Sequence, residues 1–205
     1  MQPPTTFIAF LGNRCLAEGT AADVARLAAA ALQADPQEPL LVFDADSARQ
    51  VELDLRGSPE EAAARAVESA PSLPSAPRGR GRPQLGVVAR EVTLLPRHWE
   101  WLASQPGGAS VTLRRLVEAA RRSSPAADAV RLAQERGYRF LTAMAGNLPD
   151  YEEALRALFG RDGARFDALT QGWPHDVARI ARRLAADAFA EIPQTQPQAQ
   201  ENPNP

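Results

Sequence analysis

Apolar positions are spaced differently in three parts of the chain, and the spacing predicts the elements. In residues 1–69, short strand-length runs alternate with helical periodicity. Phe7, Ile8, Phe10 and Leu11 predict a strand, Gly12-Asn13 a turn, and residues 15–19 the returning strand. Thr20 is placed to cap a helix reaching about Ala34, with Val24, Leu27, Ala28, Ala31 and Leu32 on one face. Residues 40–43 predict a second strand, Asp44-Ala45-Asp46-Ser47 its turn, and residues 51–55 its return, where Val51, Leu53 and Leu55 alternate with Glu52 and Asp54. Ser58-Pro59-Glu60-Glu61 then opens a short helix, with Pro at the first position and acids at the positive end of the dipole.

Residues 70–77, APSLPSAP, have no apolar period and predict an extended linker that continues into an Arg/Gly arm ending near residue 87. From residue 88 the pattern returns. Val88, Val92 and Leu94 are in phase for one strand face, and Ala89, Glu91 and Thr93 for the other. Leu95-Pro96 starts a helix whose apolar positions are Trp99, Leu102 and Ala103. Gln105-Pro106-Gly107-Gly108 stops it, and Ser110 is placed to cap the next helix, with Leu113, Leu116, Val117 and Ala120 at i, i+3, i+4 and i+7. A strand and two short helices cannot bury their apolar faces alone, so a partner chain is expected for residues 88–122.

The third regime, residues 123–192, is helical throughout. Ser124-Pro125 begins a helix to about Ala145 with Val130, Leu132, Phe140, Leu141 and Met144 as core positions, and residues 151–159, 164–171 and 175–190 follow as further helices. The tail, residues 193–205, is rich in Pro, Gln and Asn and is expected to be disordered. The expected fold class is α+β: a small N-terminal α/β hairpin domain (1–69), a linker with its arm (70–87), a central strand–helix–helix unit (88–122), and a C-terminal helical region (123–192).

Charge changes this picture more than composition does. The net charge is −2 over 205 residues, yet residues 78–122 hold nine Arg against three acids, residues 1–77 five against eleven, and residues 123–205 nine against eleven. A basic centre between acidic flanks points to a polyanionic partner. Every basic side chain is Arg, which suits phosphate and guanine recognition. One cysteine, Cys15, fits a reducing cytoplasm, and the N-terminal residues do not read as a secretory signal or a membrane span.

Strand–helix–turn–helix over residues 88–122 resembles the ribbon-helix-helix DNA-binding fold of the Arc/MetJ/CopG type. The resemblance implies that two chains pair their strands into a ribbon that enters the major groove. It makes Ala89, Glu91 and Thr93 the base-facing positions, and Gly108, Ser110 and Thr112 at the second helix N-terminus a phosphate clamp. Arg90 sits at the ribbon end, and Arg114 and Arg115 lie close to the clamp. Arg80-Gly81-Arg82-Pro83, extended by Arg78, resembles the core of an AT-hook, which implies an arm in the narrow minor groove of AT-rich DNA. Three stretches, LVFDADSARQVELDLRG, GRPQLGVVAREVTLLPRHWEWLASQPGGAS and AMAGNLPDYEEALRALF, also resemble a bacterial domain-of-unknown-function family, numbered 2239.

Other chemistry is poorly represented. His98 and His175 lack ligand spacing, Cys15 has no nearby His or CxxC partner, and no nucleophile–base–acid set is visible, so no catalytic residue, metal or cofactor is expected. The expected function is a cytoplasmic, nucleoid-located homodimer that binds double-stranded, AT-rich DNA, as a transcriptional regulator or nucleoid-associated factor, with higher oligomers open and no membrane partner. The alternative is a protein-interaction adaptor or antitoxin-like module in which the central unit only dimerises.

Overall fold

In the computed structural model, which describes residues 5–69 and 90–191, the run FIAFL forms strand β1 (Phe7–Leu11). Strands β2 (Arg14–Gly19) and β3 (Leu40–Asp44) flank it in the order β2-β1-β3, and both pairings are antiparallel. Between Ala9 and Phe10 the β1–β2 register shifts by one residue, so Leu16 is left without an opposite partner. Ile8 and Phe10 join Phe43 in one apolar cluster, while Ala9 joins Val42 in another on the opposite face. A strand covered on both faces needs an unbroken apolar run rather than alternation, and β1 has one.

Helix α1 (Ala21–Ala34) covers one side of the sheet, and helix α2 (Pro59–Ser69) packs on α1. The Thr20 hydroxyl accepts the Asp23 N–H at 3.3 Å, and Ser58 and Glu61 form a reciprocal capping box at 3.2 and 2.8 Å. The buried face of α1 is Val24, Ala25, Ala28 and Ala29, whereas Leu27 is 48% exposed. Two contacts set this face: Val24 packs with Ala9 and Val42, while Ala25 and Ala29 pack with Ala62 and Ala66 of α2. Small side chains let the two helices approach closely, which turns the face away from the leucines that periodicity favours.

Residues 51–55 do not return as a strand. Gln50 makes a single bridge to Phe43, and the Val51 N–H donates to the Val42 carbonyl at 2.8 Å. Beyond that point Leu53 and Leu55 pack against the α1–α2 alanine cluster, and Arg56 and Arg65 hold Asp54. The alternation is real, but its leucines pack against the α1–α2 pair, Leu53 also reaching Ala9 and Val42 of the sheet, without strand pairing beyond the Gln50 bridge.

The remaining helices are α3 (Pro96–Ser104), α4 (Gly108–Ser123), α5 (Pro125–Met144), α6 (Tyr151–Gly160), α7 (Gly163–Leu169) and α8 (His175–Ala185). A 3-10 turn, Ala186–Phe189, closes the described chain where a continuing α-helix was expected. Phe140, Leu141 and Met144 of α5 bury together with Leu158, Phe166, Trp173, Val177, Ile180 and Leu184, and the same cluster contains Ile8, Phe10 and Phe43. The Phe10, Phe43 and Phe140 rings meet at centroid distances of 6.3, 5.6 and 5.3 Å. Trp173 is core, with its indole N–H donating to the Pro149 carbonyl at 2.8 Å. In α5, Ala133 rather than Leu132 faces the core, and Leu132 is 50% exposed. A Cβ on Gly137 would lie 3.0 Å from the Leu158 side chain, so α6 reaches α5 only because that position is bare.

The described residues thus form two compact units: residues 5–69 with 126–191, and residues 90–125. The sequence divides the first of these at residues 69 and 123, and the core crosses that division. Among the described residues the fold is mixed α+β and mostly helical, with one three-stranded antiparallel sheet and eight α-helices.

Candidate nucleic-acid interface

Residues 90–125 carry the densest described positive charge. Residues 90–95 have no regular secondary structure in the single chain, and Arg90, Glu91 and Thr93 are exposed. Val92 is 56% exposed and Leu94 half-buried, so the strand face predicted there is only partly covered. Ala89 and the arm residues Arg78, Arg80, Gly81, Arg82 and Pro83 lie outside the described residues, as do the linker and the tail.

Helix α3 begins as expected, with Leu95 in extended conformation and Pro96 at its first turn. Helix α4 begins three residues earlier than predicted, with its cap at Gly107 rather than Ser110. Its N-cap is Gly107 at φ +84°, which supplies no side-chain bond, and a Cβ there would also press on Val111 at 3.1 Å. Glycine satisfies both constraints at once. Ser110 is therefore inside the helix, where its carbonyl and hydroxyl accept from Arg114 at 3.1 and 3.3 Å. Thr112 is fully buried and its hydroxyl has no hydrogen-bond partner, which removes it from any anion-facing surface. Of the predicted clamp, Gly108 remains at the helix start and Ser110 on the exposed side.

Arg114, Arg115, Arg121 and Arg122 recur at i, i+1, i+7 and i+8, which aligns them along one face of α4. Their described bonds stay within the helix: Arg121 pairs with Glu118 at 3.2 Å, and Arg122 donates to the Glu118 carbonyl at 3.2 Å. Exposed contacts of this kind are worth little and exchange readily for a phosphate. On the same helix Leu116 and Val117 are 45% and 55% exposed, and on α3 Trp99 and Trp101 are 41% and 51% exposed. The two tryptophans are thus surface residues of this unit, unlike Trp173.

A second polar constellation, where β2 meets α8, was invisible in sequence because its members lie 161 residues apart. Asp176 accepts the Cys15 backbone N–H at 2.9 Å, and Glu18 takes Arg179 and Arg183 at 3.0 and 2.6 Å. The Cys15 hydrogen bond holds the Asp176 carboxyl below its ordinary range. Partial burial alone would raise Glu18, but bonds from Arg183 and Arg179 outweigh it and lower its pKa. Burial, reinforced by Glu18, pushes the Cys15 thiol up, which keeps it protonated and unreactive. Both carboxylates are depressed, so their stabilisation is complete above the unfolded values near ~4 and is lost as pH falls through the lower folded values. Asp176→Asn is expected to cost about 1 kcal/mol at neutral pH. That deficit should narrow in acid, where wild type also loses the charge; urea midpoints at several pH values check it, and a gap independent of pH would exclude the charge as its origin.

Among the described residues no group of three or more His, Cys, Asp or Glu can hold a metal ion, and no helix is long and apolar enough to cross a membrane. The family described as an uncharacterized protein conserved in bacteria, the domain-of-unknown-function family numbered 2239, matches residues 6–185. No curated protein and no solved structure matches the chain.

Proposed function

The chain belongs to this bacterial family, and from its residues we propose that it is a homodimeric DNA-binding protein, a transcriptional regulator or nucleoid-associated factor. The observation that carries the reading is the division of α4 into an exposed arginine face and an exposed apolar stripe within the basic centre of an otherwise acidic chain. In this reading the apolar surface is covered by a second copy, and residues 88–94 of two copies pair into a ribbon in the major groove with Ala89, Glu91 and Thr93 outward. Arg80 and Arg82 lie along the minor groove of AT-rich DNA, and Arg90, Arg114 and Arg115 contact phosphate. Unpaired residues 90–95 are consistent with a strand that needs its partner to form.

Binding to AT-rich and GC-rich duplexes, measured across salt, tests the proposal. The affinity should fall steeply with salt, by about 0.9 in log K per log salt for each phosphate contact, and Arg80→Ala with Arg82→Ala should abolish the AT preference. No binding at low salt, or a flat salt response, would overturn it. The exposed Trp99 and Trp101 favour a second reading, a protein-interaction adaptor. That reading expects a stoichiometric protein partner to co-purify with no nucleic acid.

A further inference from the structure

The turn after β3 is fixed to α5 as well as to its own strand. The Asp44 carboxylate accepts from the Ser47 N–H and hydroxyl, both at 2.7 Å, and the Ala48 N–H donates to the Asp44 carbonyl at 2.9 Å. The Asp44 N–H donates to the Arg49 carbonyl at 2.9 Å, and Arg139 of α5 donates to the Ser47 carbonyl at 2.9 Å. Ala48 is held at φ +53°, a conformation that favours glycine, yet its methyl group is buried in the largest core cluster. A glycine would relieve the backbone and lose that contact. The turn is therefore anchored through Ala48 and Arg139, and it sets Arg49 and Gln50 beside α5.

Between this turn and α5 lies an open cleft of about 490 Å³. Its apolar walls are Ala48, Ala143 and Tyr138. Tyr138 is 45% exposed, and Phe159, 53% exposed with its ring centroid 6.1 Å away, extends the aromatic surface. Arg49 and Arg139 line the cleft and no carboxylate does, in a chain with 25 acids against 23 bases. Arg139 is already engaged by the Ser47 carbonyl and, at 3.1 Å, by Glu135. The Arg49 guanidinium makes no hydrogen bond or ion pair among the described residues. We propose that this cleft binds a small aromatic acid, with its ring on Tyr138 between Ala48 and Ala143 and its carboxylate on Arg49. The volume is ordinary for a small-molecule site, and methyl groups with an aromatic ring suit a planar apolar body. One unengaged guanidinium offers two parallel N–H donors, which match the two oxygens of a carboxylate. A phosphate monoester would bring a second negative charge that Arg139, paired with Glu135, does not neutralise. The site lies wholly within the unit of residues 5–69 and 126–191 and does not rest on the DNA reading.

Calorimetric titration of the full chain with naphthoate, naphthamide and naphthyl phosphate tests it. Naphthoate should bind tightest, about tenfold above the neutral amide, the difference one charge-assisted pair makes. Arg49→Gln should erase that difference and leave the naphthamide affinity unchanged. Tyr138→Ala should weaken both ligands through the lost ring contact. Both side chains are exposed, so these variants should fold as wild type does, and the comparison of acid with amide in wild type needs no variant. Absence of naphthoate binding in the millimolar range overturns the proposal. So does equal affinity for acid and amide, or naphthoate binding untouched by Arg49→Gln. Tightest binding of naphthyl phosphate would overturn the choice of a carboxylate. A chain that binds naphthoate through Arg49 but never binds a duplex would sustain the cleft and sink the DNA reading.

Discussion

Replacing Phe140 with Ala is expected to unfold the sheet and the C-terminal helices together, at a cost of about 3–5 kcal/mol. Phe140 is fully buried at the point where α5 meets β1 and β3, with its ring 5.6 Å from Phe10 and 5.3 Å from Phe43. Removing it deletes the aromatic contact that joins segments 97 residues apart in sequence and leaves a cavity that rigid neighbours fill only in part. A stability of ordinary size, roughly 5–15 kcal/mol, loses a large fraction. In a Trp99→Phe, Trp101→Phe background, urea unfolding followed by far-UV circular dichroism and by Trp173 fluorescence should show one shared transition moved to lower urea. Two separated transitions would mean that residues 5–69 and 126–191 fold independently, in conflict with the core they share.

Exchanging Arg114, Arg115 and Arg122 together for Gln removes six phosphate contacts from the proposed dimer, three per copy, and is expected to lower duplex affinity by several powers of ten at low salt and to reduce the salt slope by about 5. The size follows from counterion release: each phosphate contact contributes close to one power of ten at low ionic strength. These side chains lie along one face of α4, and Arg114 and Arg122 bond only to their own helix, at 3.1 Å to the Ser110 carbonyl and 3.2 Å to that of Glu118. Gln forms helix nearly as well as Arg, so α4 should persist. Arg121 keeps its pairing with Glu118. Unchanged helicity and oligomeric state with lost binding would assign the effect to charge. An unchanged salt slope would remove this face from the interface and leave any DNA contact to the arm.

Local chemistry decided much of the fold, and those parts were legible in the residues alone. Thr20, the Ser58–Glu61 box, Pro96 and the Gly107-Gly108 break act within three or four positions of themselves, so the starts of α1, α2 and α3 and the break before α4 follow from adjacent residues. The strand at Phe7–Leu11 and its turn at Gly12-Asn13 are short-range in the same way. The basic centre is likewise a property of the chain itself.

What only the tertiary structure decided is where each apolar surface is spent. Residues 51–55 alternate like a strand, yet Leu53 and Leu55 pack against the α1–α2 alanine cluster, and Leu53 against Ala9, Val24 and Val42 as well. Leu27 and Leu132 have the right periodicity, but Ala25 and Ala133 hold the buried places because close packing there admits a methyl group and excludes a larger side chain. Thr112 reads as an anion contact until the fold buries it, and Cys15 and Asp176 meet across 161 residues with no spacing to announce them. Periodicity states that a face is apolar; which neighbour covers it is set by distant segments competing for the same volume, and that competition has no local signature.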